Sequence, residues 1–366
     1  MKVLWLTNIP SPYRVAFFNE LGKQVALTVL FEKNISEERD VSWKEYLFEN
    51  FEGILLKGKT TRVDGAFCLS VLGYLKKNDF DIFVVTNHST LTGVLAVEYL
   101  KLKRIPFIME VDGGFPKTGK GLKEKFKKHL ISGASRWMST GKVTDETLMF
   151  YGATKEKIYR YPFTSLYEKD ILKTPIKSEE KKILRDELGI KERKMVLAVG
   201  RFIESKGFDI LLEASKQLEK DIGIYIVGGE PTDRYKEYKQ HYNLENVHFE
   251  GFKRKDTLSQ YYKAADVFVL PTRGDIWGLV INEAMAYGLP VITTDQCIAG
   301  VELVEECVNG YIVPVEDVNS IADQIKKAVH RRWQPKKILW GVKEYSIEKM
   351  VSTHIELFKS LQEECK

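Results

Sequence analysis

"KMVLAVGRFIESKGFDILLEA" (residues 194–214) decides the fold class. An apolar run from Met195 to Val199 stops at Gly200, and a charged loop with Arg201 and Lys206 follows. Gly207 then opens a segment whose apolar residues recur at helical spacing. Strand, loop and helix in that order make half of a βαβ unit. The punctuation repeats outward in both directions. "KVLWLTN", "VALTVLF", "DIFVVTN" and "PFIMEVDGG" mark the first half; "IGIYIVGG", "VHFEGF", "DVFVLPT" and "PVITTD" join the quoted run in the second. Two such series, spaced by segments of helix length, predict an α/β chain of two doubly wound domains with parallel sheets.

The boundary is expected in the polar stretch 165–194, where Pro175 precedes Ser178, a plausible N-cap for a helix stopping at Gly189. That divides the chain into 1–170 and 171–345, with 346–366 as a closing amphipathic helix. The 366 residues suit two cores, and 44% apolar with 29% charged residues is the balance of a globular protein. "MKVLWLTNIP" reads as a first strand rather than a signal peptide, and no apolar run approaches the roughly 20 residues that span a bilayer. Cys68, Cys297, Cys307 and Cys365 are scattered, which suits a reducing cytoplasm and argues against zinc.

The net charge of +5 is unevenly placed: residues 1–165 carry about +7 and the remainder about −2. Much of the excess sits in "KTGKGLKEKFKKHLISGASR" (residues 117–136), where Leu122, Phe126 and Leu130 recur at helical spacing among lysines. The segment is either a solvated helix on a core or a basic amphipathic helix resting on anionic headgroups. It has no nucleic-acid-binding signature around it.

In open α/β sheets ligands bind beyond the carboxyl ends of the strands, so the loops there hold the candidate site. Arg201 and Lys206 suit a diphosphate: a planar fork and a point charge together offset its roughly two negative charges without a metal. Glu230 stands in the turn after "IYIVGG". After "DVFVLP" comes "RGDIWGLVINEAMAYGLP" (residues 273–290). There Gly278 allows a tight turn, and the Gly278, Leu279 and Val280 amides would form a helix N-terminus suited to anions. Glu283 could accept from vicinal hydroxyls, and Asp275 could take hydroxyls beyond the phosphates. The alternative is that Asp275 caps the helix and Glu283 is a surface residue.

The order V-G-R-x4-K-G, V-G-G-E, G-F, D-x7-E-A-M-A-x-G-x-P-V-I over residues 185–318 resembles the retaining glycosyltransferase family 4, of the GT-B fold. That resemblance implies two Rossmann-like domains facing across a cleft, with the last helix crossing back to the first. The first domain would bind the acceptor and the second a nucleotide sugar, here a UDP-sugar. It makes Arg201 and Lys206 diphosphate ligands, with Gly200 beside them and Glu283 on the ribose. Asp275 would touch the sugar, Gly251 and Phe252 would lie near the base, and Leu279 and Val280 would put amides on phosphate. It also implies no metal and no other cofactor, with the leaving phosphate helping to deprotonate the acceptor. No close carboxylate pair of the retaining-hydrolase kind is evident.

Three departures matter. Asp275 replaces the usual Glu, and Trp277 a common Phe, which bears on sugar identity. "TNIPSPYRVAFFNEL" lacks paired glycines after the first strand, so Ser11, Tyr13 and Arg14 would face the cleft, Arg14 toward an acceptor phosphate; alternatively Ser11-Pro12 merely starts a helix. Asp112, followed by Gly113 and Gly114, stands where relatives place a catalytic-side histidine, and His88 is a second candidate there. Asp79 and Asp81 form a literal D-x-D but precede their strand, at the wrong end for a metal-nucleotide site. The function expected is sugar transfer to a glycan or polyprenyl-diphosphate-linked acceptor in surface polysaccharide synthesis, in the cytoplasm or at the inner membrane face. The rivals are a nucleotide-sugar epimerase and an inactive nucleotide-sugar-binding protein.

Overall fold

The computed structural model describes residues 1–34, 47–62, 65–116 and 121–364. The chain forms two compact units, Met1–Tyr167 with Tyr345–Lys366, and Glu168–Glu344.

The first unit is built on β1 (Lys2–Thr7), β2 (Ala26–Phe31) and β3 (Glu52–Leu55), a small hairpin of β4 (Lys59–Arg62) and β5 (Gly65–Phe67), then β6 (Ile82–Val85), β7 (Ile108–Val111), β8 (Arg136–Ser139) and β9 (Ile158–Arg160). Its helices are α1 (Pro12–Gly22), α2 (Leu91–Leu102), α3 (Leu122–Ile131) and α4 (Lys142–Phe150). Seven strands make one parallel sheet in the order β3-β2-β1-β6-β7-β8-β9. Both faces of its central strands are covered, which is why β6 and β7 are buried along their whole length.

The second unit contains α5 (Ser178–Glu187), β10 (Lys194–Val199), α6 (Phe208–Ser215), β11 (Ile222–Val227), α7 (Asp233–His241), β12 (Val247–Phe249), α8 (Lys255–Ala264) and β13 (Val267–Leu270). It continues with α9 (Leu279–Ala286), β14 (Val291–Thr294), α10 (Ile298–Leu303), β15 (Gly310–Val313), α11 (Val318–His330) and α12 (Pro335–Val342). Its parallel sheet runs β12-β11-β10-β13-β14-β15. α11 shows how pattern becomes packing: Ile321, Ala322, Ile325, Ala328 and Val329 form one buried stripe, and the Asp317 carboxylate caps the helix by accepting from Ser320 N at 2.9 Å.

The last helix, α13 (Ile347–Glu364), belongs to the first unit. Ile347, Met350, Val351, His354, Ile355 and Phe358 lie on its buried face, and it packs on α1, where the His354 and Phe17 rings are 4.8 Å apart. Cys365 lies outside the described residues.

All nine runs expected as strands are strands. The cap of α5 is displaced by one residue: Lys177 is the N-cap and Ser178 the first helical residue, while Gly189 takes the left-handed φ of +70° that ends the helix. In both sheets the strand order reverses at one place, between β1 and β6 and between β10 and β13. Connections there leave toward opposite faces, so the loops beyond those strands part and form a crevice.

Candidate active site

In the second unit the loops flanking the reversal are Gly200–Gly207, after β10, and Pro271–Gly278, after β13. They are pressed together. Gly207 has φ +66°, and a Cβ on it would stand 2.0 Å from the Pro271 carbonyl oxygen. The Thr272 hydroxyl donates to Ser205 O at 2.7 Å, as does the Arg273 amide. Across this seam the Lys206 ammonium pairs with the Asp275 carboxylate, both side chains about one-fifth exposed. Arg201 is half-buried on the same loop.

Asp275 is not the cap of α9. The N-cap is Gly278 at φ +102°, where a Cβ would come 2.7 Å from Cys297 Sγ. The backbone of Asp275 instead bonds toward the loop after β14, its amide donating to Gln296 O at 3.0 Å. First-turn amides of a helix have no intrahelical acceptor, so Leu279 and Val280, both half-buried, open α9 with donors directed away from its axis. Glu283 is half-buried rather than a surface residue, and it accepts from the Tyr262 hydroxyl at 3.0 Å. Burial and the Glu283 charge hold the Tyr262 phenol far above its ordinary pKa, so it stays a donor. Trp277 does not stand beside a sugar: it is 2% exposed, and its indole N–H donates to Asn282 Oδ1 at 2.8 Å. Gly251 O accepts from Gly228 N at 2.9 Å, bringing the Gly251–Phe252 turn against the loop that carries the exposed Glu230.

In the first unit Arg14 is not on the surface. It is 2% exposed, with Nη1 2.6 Å from Glu110 Oε1 and Nη2 on Asp112. This corrects its expected exposure to an acceptor phosphate: both Nη atoms are taken by carboxylates, and the guanidinium lies over the Phe163 ring, 5.3 Å from its centroid. Tyr161 donates to Asp112 at 3.0 Å, and His354 Nε2 lies 2.8 Å from Glu110 Oε2. Burial would raise Glu110, but Arg14 and His354 outweigh it and hold this carboxylate below its usual range. Asp112 is held above its own, chiefly by burial and also by the Glu110 charge, with Arg14 pulling the other way. Ser11 is buried as the N-cap residue of α1, with Pro12 in its first turn, and Tyr13 meets the Phe163 ring edge to face at 5.8 Å. Gly113 and Gly114 follow Asp112 half-buried, and Gly114 O accepts from Thr147 at 2.6 Å.

His88 lies in the loop after β6, with its Nδ1 buried and without a partner among the described residues. Burial first, and the Lys127 charge second, lower it to about 4, so the ring is neutral at physiological pH. Asp79 and Asp81 precede β6 at its amino end, where Asp81 accepts from Lys2 N at 2.7 Å.

Residues 180–339 match the family described as glycosyl transferases group 1. The matched stretch lies within the second unit. Mannosylfructose-phosphate synthase of Agrobacterium fabrum is 28% identical over 62% of this chain and 57% of its own length. The amylovoran biosynthesis glycosyltransferase AmsK of Erwinia amylovora is 33% identical over 35% of this chain and 34% of its own. Each alignment thus spans less than two thirds of the relative. A crystal structure of Anabaena HepE in complex with UDP superposes with a TM-score of 0.77, covering 98% of this chain and 100% of that one at 17% identity. At that identity the likeness speaks for the fold, which is GT-B.

The second unit brings together Lys206, Asp275 and the start of α9 as the motif spacing led one to expect. The first unit joins Arg14 to Asp112 but turns them toward each other. Sequence reasoning missed Tyr262, Arg273, Glu110 and His354. Only Tyr262 had a signal, since a carboxylate in the apolar run 280–286 requires a donor. Among the described residues no group of three or more His, Cys, Asp and Glu is placed to hold a metal.

Proposed function

We propose that the chain is a retaining glycosyltransferase that moves a hexose-type sugar from a UDP-sugar to a glycan or polyprenyl-diphosphate-linked acceptor in surface polysaccharide synthesis. The observation that carries this reading is the Lys206–Asp275 pair at the strand-order reversal of the second unit. A cation that stabilises a leaving diphosphate and an acid that receives sugar hydroxyls stand within one contact, and a nucleotide sugar has both groups in that order. Arg201 adds the second charge, the Leu279 and Val280 amides the helix-end donors, and Glu283, fixed by Tyr262, the acceptor for ribose hydroxyls. Gly200, Glu230, Gly251 and Phe252 complete the base and phosphate surroundings.

The diphosphate's charge is met by side chains, so the reaction is metal-independent: full activity in excess chelator is expected, and a strict Mn or Mg requirement would contradict it. In the first unit Asp112 is the catalytic-side group, and Tyr13, His88, Gly113 and Gly114 serve the acceptor, while Ser11 is buried at the start of α1. A lipid-linked acceptor would be met at the inner face of the cell membrane. Leu122 and Phe126, one helical turn apart on α3, are 85% and 48% exposed among Lys123, Lys125, Lys127 and Lys128, whereas Leu130 turns into the core. An exposed Leu/Phe pair ringed by lysines suits anionic headgroups. Residues 117–120 of this basic segment lie outside the described residues. No helix among the described residues is long and apolar enough to cross a membrane.

Screening thermal stability against UDP-, GDP-, ADP- and dTDP-sugars tests the donor. Selective stabilisation by one UDP-sugar is expected, and Asp275→Ala should erase mainly the difference between that sugar nucleotide and bare UDP.

A further inference from the structure

Arg273 precedes Asp275 by two residues and belongs to no motif. Its guanidinium uses all five donors. Nη1 reaches Glu204 O at 2.7 Å and Asp209 Oδ1 at 2.9 Å; Nη2 reaches Asp209 Oδ2 at 2.8 Å and Glu316 Oε2 at 3.2 Å; Nε meets the other oxygen of Glu316. These acceptors come from three places: the loop after β10, the first turn of α6, and the loop after β15. Burial alone would raise Asp209, but the Arg273 hydrogen bonds and charge hold it below its usual range. Glu316 has a φ of +64°, in the left-handed region that strains a non-glycine residue and is tolerated where contacts hold it.

Arg273 therefore has no donor left for a ligand. What its bonds set is the spacing between the loop carrying Arg201 and Lys206 and the loop carrying Asp275. The Lys206–Asp275 contact closes the same ring.

We propose that Arg273 is a positioning residue of the donor site, holding the 201–207 loop on the 271–278 loop so that Lys206 and Asp275 engage the diphosphate and the sugar of one ligand. This rests on the donor reading above. Asp209 fixes the arginine on one side and Glu316 on the other. A surface network of this exposure adds little to global stability, so its removal should be read in binding rather than in folding. Charge without the planar fork should not restore the geometry.

The test is calorimetric titration of the full chain with UDP, GDP, ADP and dTDP, alongside apo melting temperatures and steady-state kinetics. Arg273→Gln should weaken the preferred nucleotide at least about tenfold with an apo melting point close to wild type, and Arg273→Lys should recover little of it. Glu316→Gln should weaken binding about threefold, and combined with Arg273→Gln it should add nothing, as expected of two parts of one clamp. Nucleotide affinity within twofold of wild type in Arg273→Gln would overturn the proposal, as would additive losses in the double variant. Should Arg273→Gln fail to fold, Glu316→Gln decides: unchanged affinity there overturns it. A wild-type chain that binds none of the four nucleotides sinks the donor reading and this proposal with it. A wild type that binds, with variants that bind equally, sinks only the role of Arg273.

Discussion

Each unit contains an arginine held between two carboxylates near the carboxyl ends of its sheet, and the two clusters live in different solvents. Arg14 and Glu110 are closed from water, with the Asp112 side chain 24% exposed at one end of the cluster, and His354 joins them from a helix 244 residues away in sequence from its partner Glu110. Arg273 with Asp209 and Glu316 is part-exposed, its side chain at 23%. Breaking a buried cluster strands charges that water cannot reach, whereas breaking an exposed one lets water replace the lost bonds. The first is therefore a matter of whether the unit folds, and the second of where its loops stand. His354 makes the point: fully buried, it sets Nδ1 2.7 Å from Met350 O and Nε2 2.8 Å from Glu110 Oε2.

The sharpest way to break the comparison is a pair of truncations. Lys206→Ala should leave the fold intact and lower kcat/KM about a thousandfold, by loss of charge stabilisation at the leaving diphosphate. Arg14→Met should do the reverse, destabilising the first unit by about 3–5 kcal/mol in chemical denaturation while nucleotide binding by folded protein persists. If Arg14→Met melts like wild type, the buried cluster is not the structural element described.

Glu32 sharpens the comparison through pH. It is 1% exposed and accepts from Thr90 at 2.5 Å, Asn87 at 2.9 Å and Ala66 N at 3.2 Å, tying the hairpin to the loop that carries His88. Burial raises it from 4.5 to about 7, against the pull of those bonds. A carboxyl raised on folding favours the protonated native state. Its contribution is complete below pH 4.5 and lost as pH climbs through about 7. Wild type should therefore lose on the order of 3 kcal/mol more stability between pH 4.5 and 8 than Glu32→Gln does. Equal pH slopes would contradict the assignment. The smallest effect expected is at α3: replacing Lys123, Lys125, Lys127 and Lys128 by Gln should abolish sedimentation with anionic vesicles and shift stability by less than about 1 kcal/mol. Vesicle binding that survives would remove the membrane from the account.

The central strands were legible because each is an apolar run closed by Gly, Asn, Asp or Thr. The strands missed, β3, the β4–β5 hairpin, β8, β9 and β15, differ from the equally short β6 and β13 in mixing glycine or polar residues into the run, as in KTTR of β4 and RWMS of β8. The loops after β10 and β13 were legible because a motif fixes their spacing and they follow their strands directly. The Arg14 cluster was not, since Arg14 and Glu110 are 96 residues apart and nothing local marks them as partners. Trp277 misled for the opposite reason: its place beside Asp275 suggested a ligand contact, while its side chain turns to Asn282 in the core.

The account stands or falls on whether the reversal loops of the second unit bind a nucleotide sugar. Differential scanning fluorimetry of wild type and Glu283→Ala with UDP-, GDP-, ADP- and dTDP-sugars tests this directly. Stabilisation of wild type by a UDP-sugar, lost in Glu283→Ala, is the expected result; a wild type unmoved by every one of them at millimolar concentration would contradict it.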